Sequence, residues 1–112
     1  MGKRKSRIYS EYATEALRLF GQLLREARKR RGLTLADVAT RAGISRSLMQ
    51  RIEKGEPGCA IGVSFEVAAI VGVPLFEESL ADLGARRAQA DAIGALLPKA
   101  VRKPSGNVHD EF

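Results

Sequence analysis

Little in this chain of 112 residues can hold a metal or carry out covalent chemistry. There is one cysteine, Cys59, and one histidine, His109. A single cysteine cannot form an internal disulfide, and one cysteine with one histidine is no zinc-ligand set; Cys59 reads as a small packed loop residue. Tryptophan is absent and aromatic residues make up 5%, so the core must be aliphatic. No run approaches the ~20 apolar residues of a membrane span. The start, MGKRKSRIYS, is basic but has no apolar stretch behind it, unlike a signal peptide. Together these absences predict a cytoplasmic protein without metal or cofactor. They also argue against an enzyme, since catalysis needs a nucleophile, base or metal held in a pocket.

What is present is aliphatic and basic. Apolar residues make up 45% of the chain and the formal net charge is +6, with a pI of about 10.0. That suits one domain with tails and an anionic partner, with nucleic acid foremost. Residues 1–12 read as a flexible basic arm. It is either a solvated tail or an arm lying along a phosphate backbone.

From Thr14 the period becomes helical. Leu17, Phe20, Leu24 and Ala27 recur on one face with Leu23 beside them. The first helix is expected over about 14–31, its basic end complementing the helix dipole and Gly32 stopping it. Thr34 then caps a short helix carrying Leu35, Val38, Ala39 and Ala42, with Asp37 in its first turn, and Gly43 ends it. Ser45 caps a third helix running to about Lys54, with Gly55 as its stop. The stretch EPGCAIG is a loop. A fourth helix over 61–71 is apolar on most sides and so predicted to be buried. Pro74 suits the first turn of a fifth, which carries Leu75, Phe76, Leu80 and Leu83 and continues through Gly84 to Pro98. Beyond that, KAVRKPSGNVHDEF has the composition of a segment disordered until bound. The resulting division is a basic arm at 1–12, a DNA-binding domain at 13–84, a helical extension at 85–97 that serves as a dimer contact, and a tail at 98–112. No strand is predicted.

The stretch ATRAGISRSLMQRIEKG, beginning at Ala39, has helix-turn-helix spacing. A small residue at 39 lets two helices cross closely, and a glycine at 43 admits the turn. Ile44, Met49 and Ile52 pin the third helix inward. Arg46, Ser47, Gln50, Arg51 and Lys54 then face outward. Arginine and glutamine can make paired hydrogen bonds to guanine and adenine edges, and such helices meet bases with their N-terminal half. Arg46, Ser47 and Gln50 are therefore the base-reading candidates. Thr34, Ser45, Arg51 and Lys54 are the phosphate candidates, the first two as caps of helix ends whose amides attract anions.

The segment from about Leu23 to Phe76 resembles the Cro/repressor-like helix-turn-helix regulators of the xenobiotic-response-element type. LREARKRRGLTLADVATRAGISRSLMQRIEKG is similar to their first three helices, and VAAIVGVPLF to the fourth helix and the entry to the fifth. One departure is Leu35, where that family often has a glutamine. The resemblance implies an all-α fold of five helices with a helical C-terminal extension. A narrower resemblance, from RIEKGEPGCAIGVSFEVAAIVGVPLF together with LLPKAVR and an acidic tail ending in an aromatic, is to HipB-type antitoxins. It implies a homodimer that binds double-stranded operator DNA, represses its own operon and restrains a HipA-like serine/threonine kinase toxin. It also implies toxin contacts at Asp110, Glu111 and Phe112. The best-known members dimerise through a short strand; with none found here, the expected contact is helix five and its extension, about Leu75 to Leu97. Two other readings stay open: a stand-alone phage-type or controller repressor, and a protein-interaction module that no longer binds DNA.

Overall fold

In the computed structural model, residues 7–104 are described. They form five helices: α1 (Glu11–Arg30), α2 (Leu35–Ala42), α3 (Arg46–Glu53), α4 (Ile61–Val71) and α5 (Leu80–Ala95). Among the described residues there is no strand. Compact packing breaks between Leu75 and Phe76, giving one unit up to Leu75 and another from Phe76 onward.

The first unit packs α1 against α3 and α4, and α2 against α3 and α4. Its core is aliphatic, as the lack of aromatics predicts: Leu24 of α1, Val38 and Ala39 of α2, Met49 and Ile52 of α3, and Val67, Ala68 and Val71 of α4. Full burial of each larger side chain contributes about 1.5–3 kcal/mol. The expectation for α4 needs correction. Ser64, Val67, Ala68 and Val71 are buried, but Ile61 is 69% exposed, so α4 inserts one face rather than its whole circumference.

Two helix starts differ from expectation, each for a local reason. The Ser10 hydroxyl accepts a hydrogen bond from the Ala13 amide at 3.1 Å, and Glu11 places its charge in the first turn. The helix therefore begins at Glu11 rather than near Thr14 and takes in the end of the expected arm. At the other end, Phe76 has φ +70°, incompatible with a right-handed helix and costing roughly 1–2 kcal/mol in a non-glycine residue. Pro74 thus stands in a connecting segment, not in a helix. The fifth helix starts where the Ser79 hydroxyl accepts from the Asp82 amide at 3.0 Å. It does continue through Gly84, reaching Ala95.

In the second unit α5 has no buried residue. Leu80, Leu96 and Leu97 are 85%, 85% and 63% exposed. Among the described residues no helix is long and apolar enough to cross a membrane.

Candidate nucleic-acid interface

The pair α2–α3 is built from local chemistry at three points. At the start of α2 the Thr34 hydroxyl accepts from the Asp37 amide at 3.0 Å, and the Asp37 carboxylate accepts from the Thr34 amide at 2.8 Å. This reciprocal cap satisfies two amides that a helix start leaves without partners. It holds the Asp37 carboxyl below its ordinary pKa, first through the backbone hydrogen bond from Thr34. At the turn, Gly43 has φ +70° and ψ +34°, a conformation other residues adopt only with strain. There the Gly43 amide donates to the Thr40 carbonyl at 3.2 Å and the Ile44 amide to that of Ala39 at 2.9 Å, closing the helix end. Two residues later the Ser45 hydroxyl accepts from the Leu48 amide at 3.0 Å and starts α3.

This geometry puts two faces on α3. Met49 and Ile52 are buried, and Ile44 and Leu48 pack against the same core. Ala39 is 2% exposed where α2 meets the core; a longer side chain there would force the helices apart. At about 3.6 residues per turn, Arg46, Gln50 and Lys54 make one outward lane, with Ser47 and Arg51 beside it. Arg46, Ser47, Gln50 and Lys54 are exposed. Arg51 is half-buried at the far edge, where its Nε donates to Glu56 Oε1 at 3.3 Å. That pair partly neutralises the charge Arg51 would bring to a phosphate. Thr34 and Ser45 are exposed at the two helix starts, with hydroxyl oxygens engaged as caps and their protons left for an acceptor. Asp110, Glu111 and Phe112 lie outside the described residues, as do residues 1–6 of the arm.

Sequence reasoning missed what holds α3 in place. Arg28 belongs to the basic end of α1, where helix-end cations ordinarily face solvent, yet it is 8% exposed. Its Nε and Nη2 donate to the two oxygens of Glu53 at 2.7 and 3.1 Å, and its Nη1 donates to the Leu33 carbonyl at 2.9 Å. The hydrogen bonds that Arg28 donates to Glu53 raise the Arg28 pKa; burial opposes this, and the charge of Glu53 adds to it. A signal was available. Arg28 lies four residues after Leu24, on the core face, and Glu53 lies four after Met49; charges at such positions need each other.

Gly21 was missed as well. A methyl group there would come within 2.5 Å of the Glu53 carbonyl oxygen and 2.7 Å of that of Ile52. One at Gly55 would meet the Leu17 carbonyl oxygen at 2.6 Å. The C-terminal end of α3 thus rests directly on the backbone of α1. Between α1, α2 and α3 lies an open cleft of about 260 Å³, lined by Arg25, Arg28, Leu35, Gln50, Glu53 and Lys54. A second, mainly apolar cavity of about 290 Å³ includes Cys59 in its wall, and burial raises the Cys59 pKa.

The comparisons with known proteins agree with this geometry. The chain is 29% identical, over 75 residues, to an HTH-type transcriptional regulatory protein of Thermococcus kodakarensis; the alignment covers 67% of this chain and 22% of that protein. The chain thus spans under a quarter of that relative's length. No solved structure matches it. Residues 19–75 match the model of a family described as the helix-turn-helix domain. That match takes in α2, the Gly43 turn, α3 and α4 and covers just over half of the sequence, so the chain belongs to the helix-turn-helix domain family.

Proposed function

We propose that this protein is a sequence-specific DNA-binding transcriptional repressor that acts as the antitoxin of a HipA-like kinase toxin and regulates its own operon. The observation that carries the DNA-binding part is the outward side of α3. Arg46, Ser47, Gln50 and Lys54 stand exposed there, while Glu53, the acidic residue of that helix, is turned inward and paired. An exposed lane of donors whose nearest exposed acid, Glu56, stands at its far edge and is paired with Arg51 suits a groove lined by phosphates and base edges.

In this reading a homodimer places two copies of α3 in successive major grooves, about 34 Å apart, on a palindrome-like site. Arg46, Ser47 and Gln50 read base edges. Lys54, Arg51 and the caps at Thr34 and Ser45 meet phosphates. The start of α2 is the weaker anion site, because the Asp37 carboxylate already occupies the Thr34 amide. The uncovered Leu80 and Ile93 of α5, with Leu96 and Leu97 just beyond its end, support the dimer assignment, since apolar groups of this size favour cover. The toxin contact at Asp110, Glu111 and Phe112 rests on the resemblance of the tail.

The test is fluorescence anisotropy of the full chain and of a 1–98 truncation on DNA from just upstream of its gene. A salt series, a scrambled duplex and the product of the adjacent gene complete it. Selective, salt-dependent binding by both forms, with the partner retained only by the full chain, is the expected result. Selective DNA binding without a partner effect replaces the antitoxin role with a stand-alone repressor. Equal affinity for native and scrambled duplex refutes sequence-specific recognition of that site.

A further inference from the structure

We infer that Arg25 of α1 and Lys54 at the end of α3 form a seat for one DNA backbone phosphate at the mouth of the cleft between α1, α2 and α3, and that this seat fixes the register in which Gln50 meets the bases. The inference rests on the DNA-binding reading above. It adds a residue of α1 to an interface otherwise assigned to α2 and α3.

The cleft combines three features. Its size, about 260 Å³, is room for several waters at about 30 Å³ each, and so for a hydrated phosphate oxygen pair at its mouth. Its inner charges cancel: Arg28 is committed to both oxygens of Glu53 and to the Leu33 carbonyl. No net negative charge therefore remains in the cleft to repel an anion. Its rim carries two cations, Arg25 and Lys54, both exposed. Neither makes an ion pair among the described residues, whereas Arg18, Arg30, Arg51 and Arg86 each have a carboxylate nearby. Leu35 contributes an apolar wall, and low-dielectric walls concentrate the field of flanking charges.

The identity of the anion follows from where the residues stand. Arg25 sits on α1, outside the helix assigned to the groove, so it reaches the rim of DNA and not a base edge. A guanidinium pairs with phosphate through two parallel donors. Lys54 and Gln50 are four residues apart on one lane of α3 and share the cleft wall. Holding a phosphate between Arg25 and Lys54 therefore clamps α3 from its C-terminal end and limits how Gln50 can slide or tilt against a base. Arg25 acts here as a positioning residue.

The experiment uses the full chain and a duplex enriched from a random pool by its own binding. Methylphosphonate linkages, which lack the phosphate charge, are then placed one at a time along that duplex. Wild-type protein is expected to lose roughly tenfold in affinity at one linkage per half-site. Arg25→Gln is expected to lose affinity on unmodified DNA, to be clearly less sensitive than wild type to that same linkage because only Lys54 still holds the phosphate, and to flatten the salt slope by part of the about 0.9 that one phosphate carries. It should also discriminate less at the base assigned to Gln50, while its thermal midpoint stays that of wild type. Arg25→Lys, which keeps the charge but not the fork, should restore the slope and only part of the affinity. Arg30→Gln is the control for general charge, since Arg30 sits on the same helix outside the cleft. If Arg25→Gln and Arg30→Gln behave alike, or if Arg25→Gln is as sensitive as wild type at every linkage, the seat does not exist. Wild-type protein that enriches no duplex overturns the DNA-binding reading, and this inference with it.

Discussion

Replacing Glu53 with glutamine removes one charge from the buried pair that ties α3 to α1. The side chains of Arg28 and Glu53 are 10% and 6% exposed, so the guanidinium left behind cannot recover full hydration. Glutamine keeps the shape, but its one oxygen replaces two acceptors, and its amide group turns donors toward donors. The Leu33 carbonyl remains as a partner at 2.9 Å, but it carries no charge. Breaking such a pair by changing one member costs about 3–5 kcal/mol. The adjoining cleft lets water reach one edge of the site, which places the expected cost near the lower end, at about 3 kcal/mol. For a domain of this size that is a fall of about 12–24 °C in Tm. The double variant Arg28→Met with Glu53→Leu should be more stable than either single variant, because no unpaired charge remains. Thermal and urea unfolding of wild type, the two singles and the double give the coupling energy, expected to exceed about 2 kcal/mol. A cost below about 1 kcal/mol for Glu53→Gln, or a coupling near zero, would refute the view that this pair fastens α3 to α1.

Gly21→Ala should destabilise the fold by about 1–3 kcal/mol, because the new methyl group meets backbone oxygens of α3. Gly84→Ala, with nothing within 4 Å, should instead stabilise α5 by up to about 1 kcal/mol; circular-dichroism melts that move both variants the same way would contradict this. The Asp37 carboxyl has a lowered pKa when folded. Its contribution is therefore complete above the ordinary Asp value of about 3.9 and is lost as pH falls through the lower folded value. Asp37→Asn should flatten the acid limb of a urea-midpoint series, and parallel limbs would show that the cap contributes nothing. Gln50→Ala should cost about 1–3 kcal/mol on the preferred duplex and abolish one base preference without changing the salt slope, while Lys54→Ala should reduce the salt slope by about one and only blur that preference, through the register of Gln50. Anisotropy titrations over several salts separate the two, and an even loss for Gln50→Ala would remove it from base reading.

What was legible in the sequence was written in neighbouring residues. Thr34 with Asp37, Gly43, Ser45 and Gly55 each act within one turn of themselves, so α2, the turn and α3 could be placed from the chain alone. The outward set followed from helical spacing once Met49 and Ile52 were assigned to the core. The start of α1 was missed because Ser10 lies within a run that reads as a basic arm, although its hydroxyl acts only three residues on. The start of α5 was misplaced because Pro74 satisfies a first-turn preference, while the backbone of Phe76 rules the helix out. Arg28 was hidden by its company. Lys29, Arg30 and Arg31 follow it, and although helical spacing puts both Arg28 and Glu53 on core faces, no local rule joins two residues 25 positions apart.

These less legible residues explain why the legible ones can face outward. A helix of eight residues is too short to hold its position by its own hydrogen bonds, and its outward lane buries nothing. Its inner side must supply the restraint. Met49 and Ile52 give apolar burial but no fixed direction, since such contacts are non-directional. Direction comes from the Arg28–Glu53 hydrogen bonds and from the backbone contact that Gly21 and Gly55 permit, all gathered at the C-terminal end of α3. At its N-terminal end, the Gly43 turn and the Ser45 cap fix how the chain enters. Held at both ends from within, α3 can commit Arg46, Ser47, Gln50 and Lys54 entirely to a partner. The acid that a basic lane would otherwise meet on its own helix, Glu53, is consumed in the same act that anchors it.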